Sequence, residues 1–128
     1  MKLEEGMYVR TEFGIGSYIK DYTNSQGLTW RVLEGCYNPD NQEDFATLFC
    51  DCEIIKASHN IIDLIEVGDY VNGYKVSNKG NDYILGRFVQ CDYPVQAGTT
   101  NHYRFYEEDI KLIVTKEQFE RMSYKVGE

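Results

Sequence analysis

The sequence repeats a short pattern, and this repeat constrains the fold more than any other feature. Residues 3–9 read L-E-E-G-M-Y-V, and residues 65–71 read I-E-V-G-D-Y-V. A fainter similarity links residues 52–56 to residues 108–111. A repeat of this length is typical of a duplicated supersecondary unit, which often cannot bury its apolar face alone. The alternative is that both copies are an ordinary opening of a β-strand.

Most of the chain indicates short β-strands. Residues 28–32 alternate apolar and polar side chains, which is the period of a half-buried strand. Asn72-Gly73 predicts a type I′ hairpin turn, because both central residues of that turn need positive φ. Further strands are predicted over residues 7–12, 18–22, 45–49, 53–56, 69–71, 74–76, 83–91 and 102–106, with a polar loop containing Pro94 before the last of them.

One helix is predicted, near the C-terminus. Thr115 and Gln118 have the spacing of a capping box and begin a helix that runs to Met122. Residues 58–65 fit either a capped helical turn or a strand. We therefore predict a mainly β protein (β-rich α+β) of two tandem small units resembling SH3-like barrels, residues 1–63 and residues 64–128 with the helix. One compact domain is the alternative.

Charge is concentrated in one stretch of the chain. The 128 residues carry a net charge of −8, and residues 32–74 hold nine acidic residues and one lysine, which accounts for the whole excess. This acidity disfavours nucleic-acid binding, because the phosphate backbone requires a basic surface, and we predict no direct nucleic-acid partner. An acidic face attracts basic protein surfaces, and ordered carboxylates can imitate the positions of phosphates. A solvated face that keeps the protein soluble is the alternative.

Tyrosine is the second bias, with 11 residues. Tyrosine buries a large area and keeps a hydroxyl, which suits interfaces, although core filling also explains tyrosines in a β protein. In a strand, Tyr103 and Phe105 face one side while Arg104 and Tyr106 face the other. The residues that we assign to partner binding are the acidic Asp40, Glu43, Asp44, Asp51 and Glu53 and the aromatic Tyr37, Tyr93, Tyr103 and Tyr106.

Neither a metal centre nor a catalytic site is predicted. Cys50-Asp51-Cys52 is shorter than a zinc knuckle, and Cys36 and Cys91 stand alone. A strand would place Cys50 and Cys52 on one face, which leaves a metal or a disulfide open, but reduced buried thiols are expected in a protein without secretion signals. No local motif accompanies a cysteine–His102 pair, and we predict no enzyme activity, no cofactor and no metal.

The chain is expected to stay in the cytoplasm. No apolar run approaches the roughly 18 residues of a membrane span, and the N-terminus lacks the hydrophobic stretch of a signal peptide. We therefore predict no membrane association.

Three segments resemble small proteins encoded by phages and prophages of Gram-positive bacteria: residues 5–11, 54–76 and 113–119. That family is largely uncharacterised, so the resemblance implies a genomic setting and no particular site residues. Residues 12–53 and 77–109 depart from the pattern. Small acidic phage proteins without enzyme motifs are often inhibitors of host defence, which agrees with the charge and tyrosine biases.

We expect a non-catalytic phage accessory protein in the cytoplasm of the bacterial host. It would bind and inhibit a defence protein, in an anti-CRISPR-like or anti-restriction role, with its acidic surface occluding a basic nucleic-acid groove. One alternative is a sponge for a nucleotide signal, built from Arg87 and Arg104 beside Tyr83, Tyr103 and Tyr106. The other is a phage structural module that forms homo-oligomers.

Overall fold

Two compact units make up the chain, Met1–Leu64 and Ile65–Glu128. The computed structural model describes the backbone of residues 2–36, 42–43, 46–96 and 99–122 and the side chains of residues 2–36, 47–92 and 103–122.

The first unit is a six-stranded antiparallel sheet. Its strands are β1 (Tyr8–Thr11), β2 (Gly14–Thr23), β3 (Thr29–Glu34), β4 (Gln42–Glu43), β5 (Ala46–Phe49) and β6 (Ile54–Ser58). Their order across the sheet is β4-β5-β3-β2-β1-β6. Two 3₁₀ turns flank β6, Asp51–Glu53 and Ile61–Leu64. The sheet is therefore a meander whose last strand returns to pair with the first.

The second unit is a five-stranded antiparallel sheet. Its strands are β7 (Tyr70–Val71), β8 (Tyr74–Asp82), β9 (Gly86–Gln96), β10 (Thr99–Tyr106) and β11 (Ile113–Val114), in the order β10-β9-β8-β7-β11. A 3₁₀ turn at Glu107–Asp109 precedes β11, and the helix α1 (Lys116–Met122) follows it.

The two units share one topology. Without the two-residue β4, the order β5-β3-β2-β1-β6 of the first unit matches β10-β9-β8-β7-β11 of the second. Both units place a 3₁₀ turn before the returning strand. A bulge also falls at the same place, since Ile19 lies between paired residues of β2 and Ser77 lies between the corresponding residues of β8. These shared details support duplication of one unit over a chance similarity of strand openings.

Some corresponding positions are buried in both units. The buried cluster of the first unit contains Leu3, Val9, Phe13, Leu33, Cys36, Phe49 and Ile54. Among the described side chains of the second unit, the buried apolar residues are Ile65, Val71, Val76, Phe88, Val89 and Cys91. The repeated letters of the sequence supply two of these matched positions, Leu3 with Ile65 and Val9 with Val71. The pattern therefore recurs because the same positions must be buried in each copy.

The mainly β fold with one short C-terminal helix is confirmed. Asn72 and Gly73 have φ of 53° and 89° and connect the paired residues Val71 and Tyr74, as the hairpin prediction requires. The capping box is also confirmed, because the Thr115 N–H donates to Gln118 Oε1 at 2.9 Å and the Gln118 N–H donates to Thr115 Oγ1 at 3.2 Å.

Three sequence predictions need correction or refinement. Neither sheet closes into a barrel within the described residues, so the SH3-like barrel is not confirmed. The predicted strand 83–91 is wrong at its start, because residues 83–85 form the hairpin turn before β9, and Pro94 lies inside β9 rather than in a loop. Residues 58–65 form a 3₁₀ turn over Ile61–Leu64, in which Asn60 Oδ1 accepts the Ile62 N–H at 3.0 Å.

Membrane-spanning helices are absent from the described part of the chain, where none is long and apolar enough to cross a bilayer.

Candidate partner-binding surface

The nine residues predicted to bind a partner divide by what the structure describes. Tyr37, Asp40 and Asp44 lie outside the described residues. Glu43 in β4 and Tyr93 in β9 are described by their backbone only. Asp51, Glu53, Tyr103 and Tyr106 are described in full.

Asp51 belongs to an ion-pair cluster on the first sheet. Arg31 donates from Nε to Asp51 Oδ1 at 2.8 Å and from Nη1 to Asp21 Oδ1 at 2.9 Å. The Tyr18 hydroxyl donates to the same Asp21 oxygen at 2.8 Å. The Arg31 side chain is 15% exposed and the Asp51 side chain 52% exposed. Asp51 is therefore open to a partner, but its charge is already partly balanced.

The cluster changes the acidity of its members. Hydrogen bonding from Arg31 holds the pKa of the Asp51 carboxyl below its usual value, and the positive charge of Arg31 acts in the same direction. The same bond to Asp51 raises the pKa of Arg31 further. Partial desolvation raises the pKa of Tyr18, with Asp21 adding to the effect. At neutral pH Arg31 therefore stays a cation and Asp51 a carboxylate.

Glu53 has a local structural role. Its Oε1 accepts the Cys50 N–H at 3.0 Å, which closes the Asp51–Glu53 turn, while the Glu53 N–H donates back to the Cys50 carbonyl at 2.9 Å. The same turn carries a disulfide between Cys50 and Cys52, whose Cα atoms are 5.4 Å apart. The expectation of reduced thiols is therefore wrong for this pair.

Other acidic residues of the charged stretch also hold the fold. Asp63 Oδ2 accepts the Ser58 hydroxyl at 2.6 Å, and Glu66 pairs with Lys116 Nζ at 2.8 Å. Asp69 is fully buried and accepts the N–H groups of Glu66 at 2.7 Å and of Lys116 at 2.8 Å. Much of the described part of the stretch thus connects elements within its own unit.

Strand β10 presents two different aromatic faces. Tyr103 and Phe105 both contact the Tyr74 ring, at centroid distances of 5.3 Å and 6.1 Å. On the opposite face, the Arg104 guanidinium lies 4.3 Å from the centre of the Phe88 ring, and Tyr106 contacts the same ring at 5.7 Å. The predicted alternation along this strand is confirmed for these residues.

The β10 residues of the predicted nucleotide sponge are divided between the two faces of that strand. Tyr103 and Arg104 lie on opposite faces of β10, and Arg104 lies over Phe88, 3.8 Å from Asp82. Tyr83 is fully exposed on the β8–β9 turn. Tyr103 is therefore separated from Arg104 and Tyr106, which share the Phe88 side of the strand.

The two most exposed apolar residues in the described part of the chain, Tyr83 and Ile84, lie with Leu85 at the tip of the β8–β9 hairpin. Tyr83 is 100% exposed, Ile84 is 86% exposed and Leu85 is 65% exposed. Asp82 Oδ1 accepts the N–H groups of Ile84 at 2.8 Å and of Leu85 at 2.9 Å, so the Asp82 side chain orders the turn. These two hydrogen bonds lower the pKa of the Asp82 carboxyl. Three adjacent apolar side chains are thereby held in water on a defined turn.

The first unit builds the corresponding turn from polar residues. Asn24 takes the place of Asp82, and its Oδ1 accepts the N–H groups of Gln26 at 2.9 Å and of Leu28 at 3.0 Å. The three residues after Asn24 are Ser, Gln and Gly, whereas those after Asp82 are Tyr, Ile and Leu. A turn at this position of the fold can therefore form without apolar residues at its tip.

The prediction of one strand over residues 83–91 does not include this tip. The sequence does carry a signal for this turn, because Asp82 and Gly86 flank the three apolar residues. An Asp side chain can accept hydrogen bonds from the backbone of a turn, and Gly can adopt the positive φ that a turn often needs. Only the pairing of Asp82 with Gly86 shows that the hairpin reverses between them.

The two free cysteines are buried. Burial raises the pKa of the Cys36 thiol to about 11 and that of the Cys91 thiol to about 11, so both stay protonated at neutral pH. The His102 side chain, considered as a partner for a cysteine, lies outside the described side chains. Among the residues that are described, no three histidine, cysteine or acidic side chains cluster to hold a metal ion.

Comparisons of this chain with protein-family models, with curated proteins and with solved structures found no match.

Proposed function

We propose that this protein is a non-catalytic binding protein that docks onto another protein through the tip of the β8–β9 hairpin, residues 83–85. The observation that carries the proposal is the exposure of Tyr83, Ile84 and Leu85 on an ordered turn. Burying large apolar side chains contributes roughly 1.5–3 kcal/mol each, and a turn that is already ordered loses little entropy on binding. The first unit forms the corresponding turn from polar residues, so folding alone does not explain the apolar residues 83–85. This supports a role for them in binding.

A protein is favoured as the partner over a lipid surface or a nucleic acid. The net charge of −8 opposes approach to anionic membranes and to phosphate backbones. It favours a partner that offers an apolar pocket for the tip within a basic surface. Tyrosine at position 83 is also typical of residues that contribute most to protein interfaces.

The partner class that fits this chemistry is a bacterial defence protein with a basic nucleic-acid groove. The resemblance to phage and prophage proteins supports this part of the proposal, together with the acidic residues at 40, 43, 44, 51 and 53. In this proposal the protein works in the bacterial cytoplasm, the acidic residues occlude the groove, and the tip provides the apolar anchor. The meander with a returning strand supports a further proposal, that each unit is a variant of the SH3-like architecture.

A variant of the tip tests the docking proposal. Tyr83→Ser, Ile84→Gln and Leu85→Ser together give the turn the polar character of the first unit. Leu28→Ser is the matched control, because Leu28 is 53% exposed on that other turn. Tagged wild type, tip variant and control are each used to capture proteins from a Gram-positive host lysate. We then expect the affinity for a captured protein, measured by calorimetry, to fall at least about 10-fold in the tip variant only.

Three results would contradict the proposal. The tip variant could retain the same proteins with the same affinity as the wild type. The wild type could bind phosphatidylglycerol vesicles in a manner that depends on the tip, which would assign the tip to a membrane. The mass measured by native mass spectrometry could rise with concentration in the wild type and not in the tip variant, which would assign the tip to self-association.

A further inference from the structure

The disulfide in the Asp51–Glu53 turn closes a very short loop. Cys50 and Cys52 are two positions apart, and Cys52 is exposed. A disulfide stabilises mainly by restricting the unfolded chain, and this effect decreases with the length of the closed loop. Cross-linking residues that are already near neighbours in the chain therefore adds little stability.

The second unit shows that the turn forms without the disulfide. Tyr106 and Glu108 occupy the positions of Cys50 and Cys52 in the Glu107–Asp109 turn. The Tyr106 N–H donates to Asp109 Oδ2 at 3.3 Å, as the Cys50 N–H donates to Glu53 Oε1 at 3.0 Å. The duplicated fold thus supplies an internal control, in which the same capped turn leads into the returning strand with no sulfur present.

The other two cysteines are unlike this pair. Cys36 and Cys91 are free thiols, and both are buried. Their burial makes them slow to react, because the thiolate is the reactive form and a buried thiol is rarely ionised. Exposed disulfides, in contrast, are the ones that exchange readily with thiols. Among the four cysteines, the surface pair is therefore the one suited to redox chemistry.

We propose that Cys50 and Cys52 form a reversible dithiol–disulfide site that is reduced by dithiol reductants. A thiolate of the reductant attacks the exposed Cys52 sulfur, a mixed disulfide forms, and the Cys50 sulfur leaves as a thiolate. The second thiol of the reductant then displaces Cys52. Two electrons and two protons pass to the protein, Cys50 and Cys52 become thiols, and the reductant becomes a disulfide. Arg31 balances the charge of Asp51 beside this site, at 2.8 Å.

Thiol labelling of the native protein tests the proposal. The oxidised protein is treated with dithiothreitol without denaturant, freed of reductant, alkylated with iodoacetamide and mapped by peptide mass spectrometry. We expect no label before reduction and two labels afterwards, on Cys50 and Cys52, with Cys36 and Cys91 unlabelled. Oxidised glutathione should then restore the unlabelled state.

A disulfide that is reduced only in denaturant would overturn the proposal, as would thiols that do not re-form it in oxidised glutathione. The variant Cys50→Ser with Cys52→Ser tests whether the bond is structural. We expect its circular dichroism and thermal midpoint to stay close to those of the wild type, because the turn of the second unit needs no disulfide. A variant that fails to fold would show that the bond holds the structure and would also overturn the proposal.

Discussion

Single polar side chains hold several turns of this protein in place. Asn72 forms the hairpin turn with its backbone, while its side chain donates to the Asp109 carbonyl at 2.8 Å and accepts the Lys111 N–H at 2.9 Å. Arg31 connects Asp21 and Asp51 in the same way across the first sheet. The positive φ of Asn72 could be predicted from its neighbour Gly73. Its bonds to residues 37 and 39 positions away could not.

At this scale we predict a pH-dependent contribution from the Arg31–Asp51 pair. Arg31 stabilises the ionised carboxylate, so the pKa of Asp51 in the folded protein lies below the value of about 3.9 expected in the unfolded chain. The pair therefore stabilises the fold above about pH 4, and the contribution is lost as the pH falls through the folded pKa. Asp51→Asn should lower the free energy of unfolding by roughly 0.5–1 kcal/mol at neutral pH, because the carboxylate is largely exposed.

Urea unfolding at about pH 7 and about pH 2.5 measures this difference. Glu108→Gln is the control, since Glu108 takes the place of Cys52 in the second unit and is exposed. A destabilisation by Asp51→Asn that is equal at both pH values would show that the ion pair does not cause it.

At the scale of single strands, close contact between neighbouring strands limits which residues fit at particular positions. A Cβ atom added to Gly16 in β2 would lie 2.7 Å from the Glu34 carbonyl oxygen and 2.8 Å from Cys36 Sγ. Gly80 in β8 similarly leaves room for the Phe88 ring, 2.5 Å from its own added Cβ. Only the packed sheet shows that these two are required for close contact rather than for turning.

We predict that Gly16→Ala destabilises the first unit by roughly 2–3 kcal/mol, because the carbonyl of Glu34 cannot withdraw without disturbing the β2–β3 pairing. Urea unfolding monitored by Trp30 fluorescence measures the loss. Gly27→Asn is the control, because a Cβ there meets nothing within 4 Å and Asn tolerates the positive φ. Equal stability of Gly16→Ala and the wild type would contradict the close approach of these strands.

At the scale of the whole molecule, the net charge and the differences between the two units are the features that bear on the proposed binding. The net charge of −8 disfavours anionic partners, while the two copies of one topology have diverged at the β-hairpin tip and at the turn that carries the disulfide. We expect a specific function to lie where the two copies of the fold differ, because function depends on particular sites rather than on the fold.

We predict that Asp40→Lys, Glu43→Lys and Asp44→Lys together abolish inhibition of the proposed defence protein while leaving the thermal midpoint nearly unchanged. The net charge changes from −8 to about −2, so electrostatic steering weakens and the association rate constant falls by about an order of magnitude at low salt. Stopped-flow association at low and high ionic strength measures this.

The control for this experiment places the same charge change elsewhere, as Glu5→Lys, Glu107→Lys and Glu108→Lys. Its effect on the association rate should be smaller, because the altered charges lie outside the acidic stretch. Full inhibition by the variant at positions 40, 43 and 44 would exclude the charge-mimic mechanism and would leave docking by the hairpin tip to be judged separately.

The sequence alone determined those features whose interactions span a few residues: the Asn72-Gly73 turn, the Thr115–Gln118 capping box and the repeated strand opening. Tertiary structure decided the strand order, the hairpin tip at residues 83–85, and the partners of the acidic residues. Arg31 and Asp51 are 20 positions apart, and Asp69 and Lys116 are 47 apart. Local propensity carries no information about such contacts, because which distant residues meet depends on how the whole unit packs its apolar side chains.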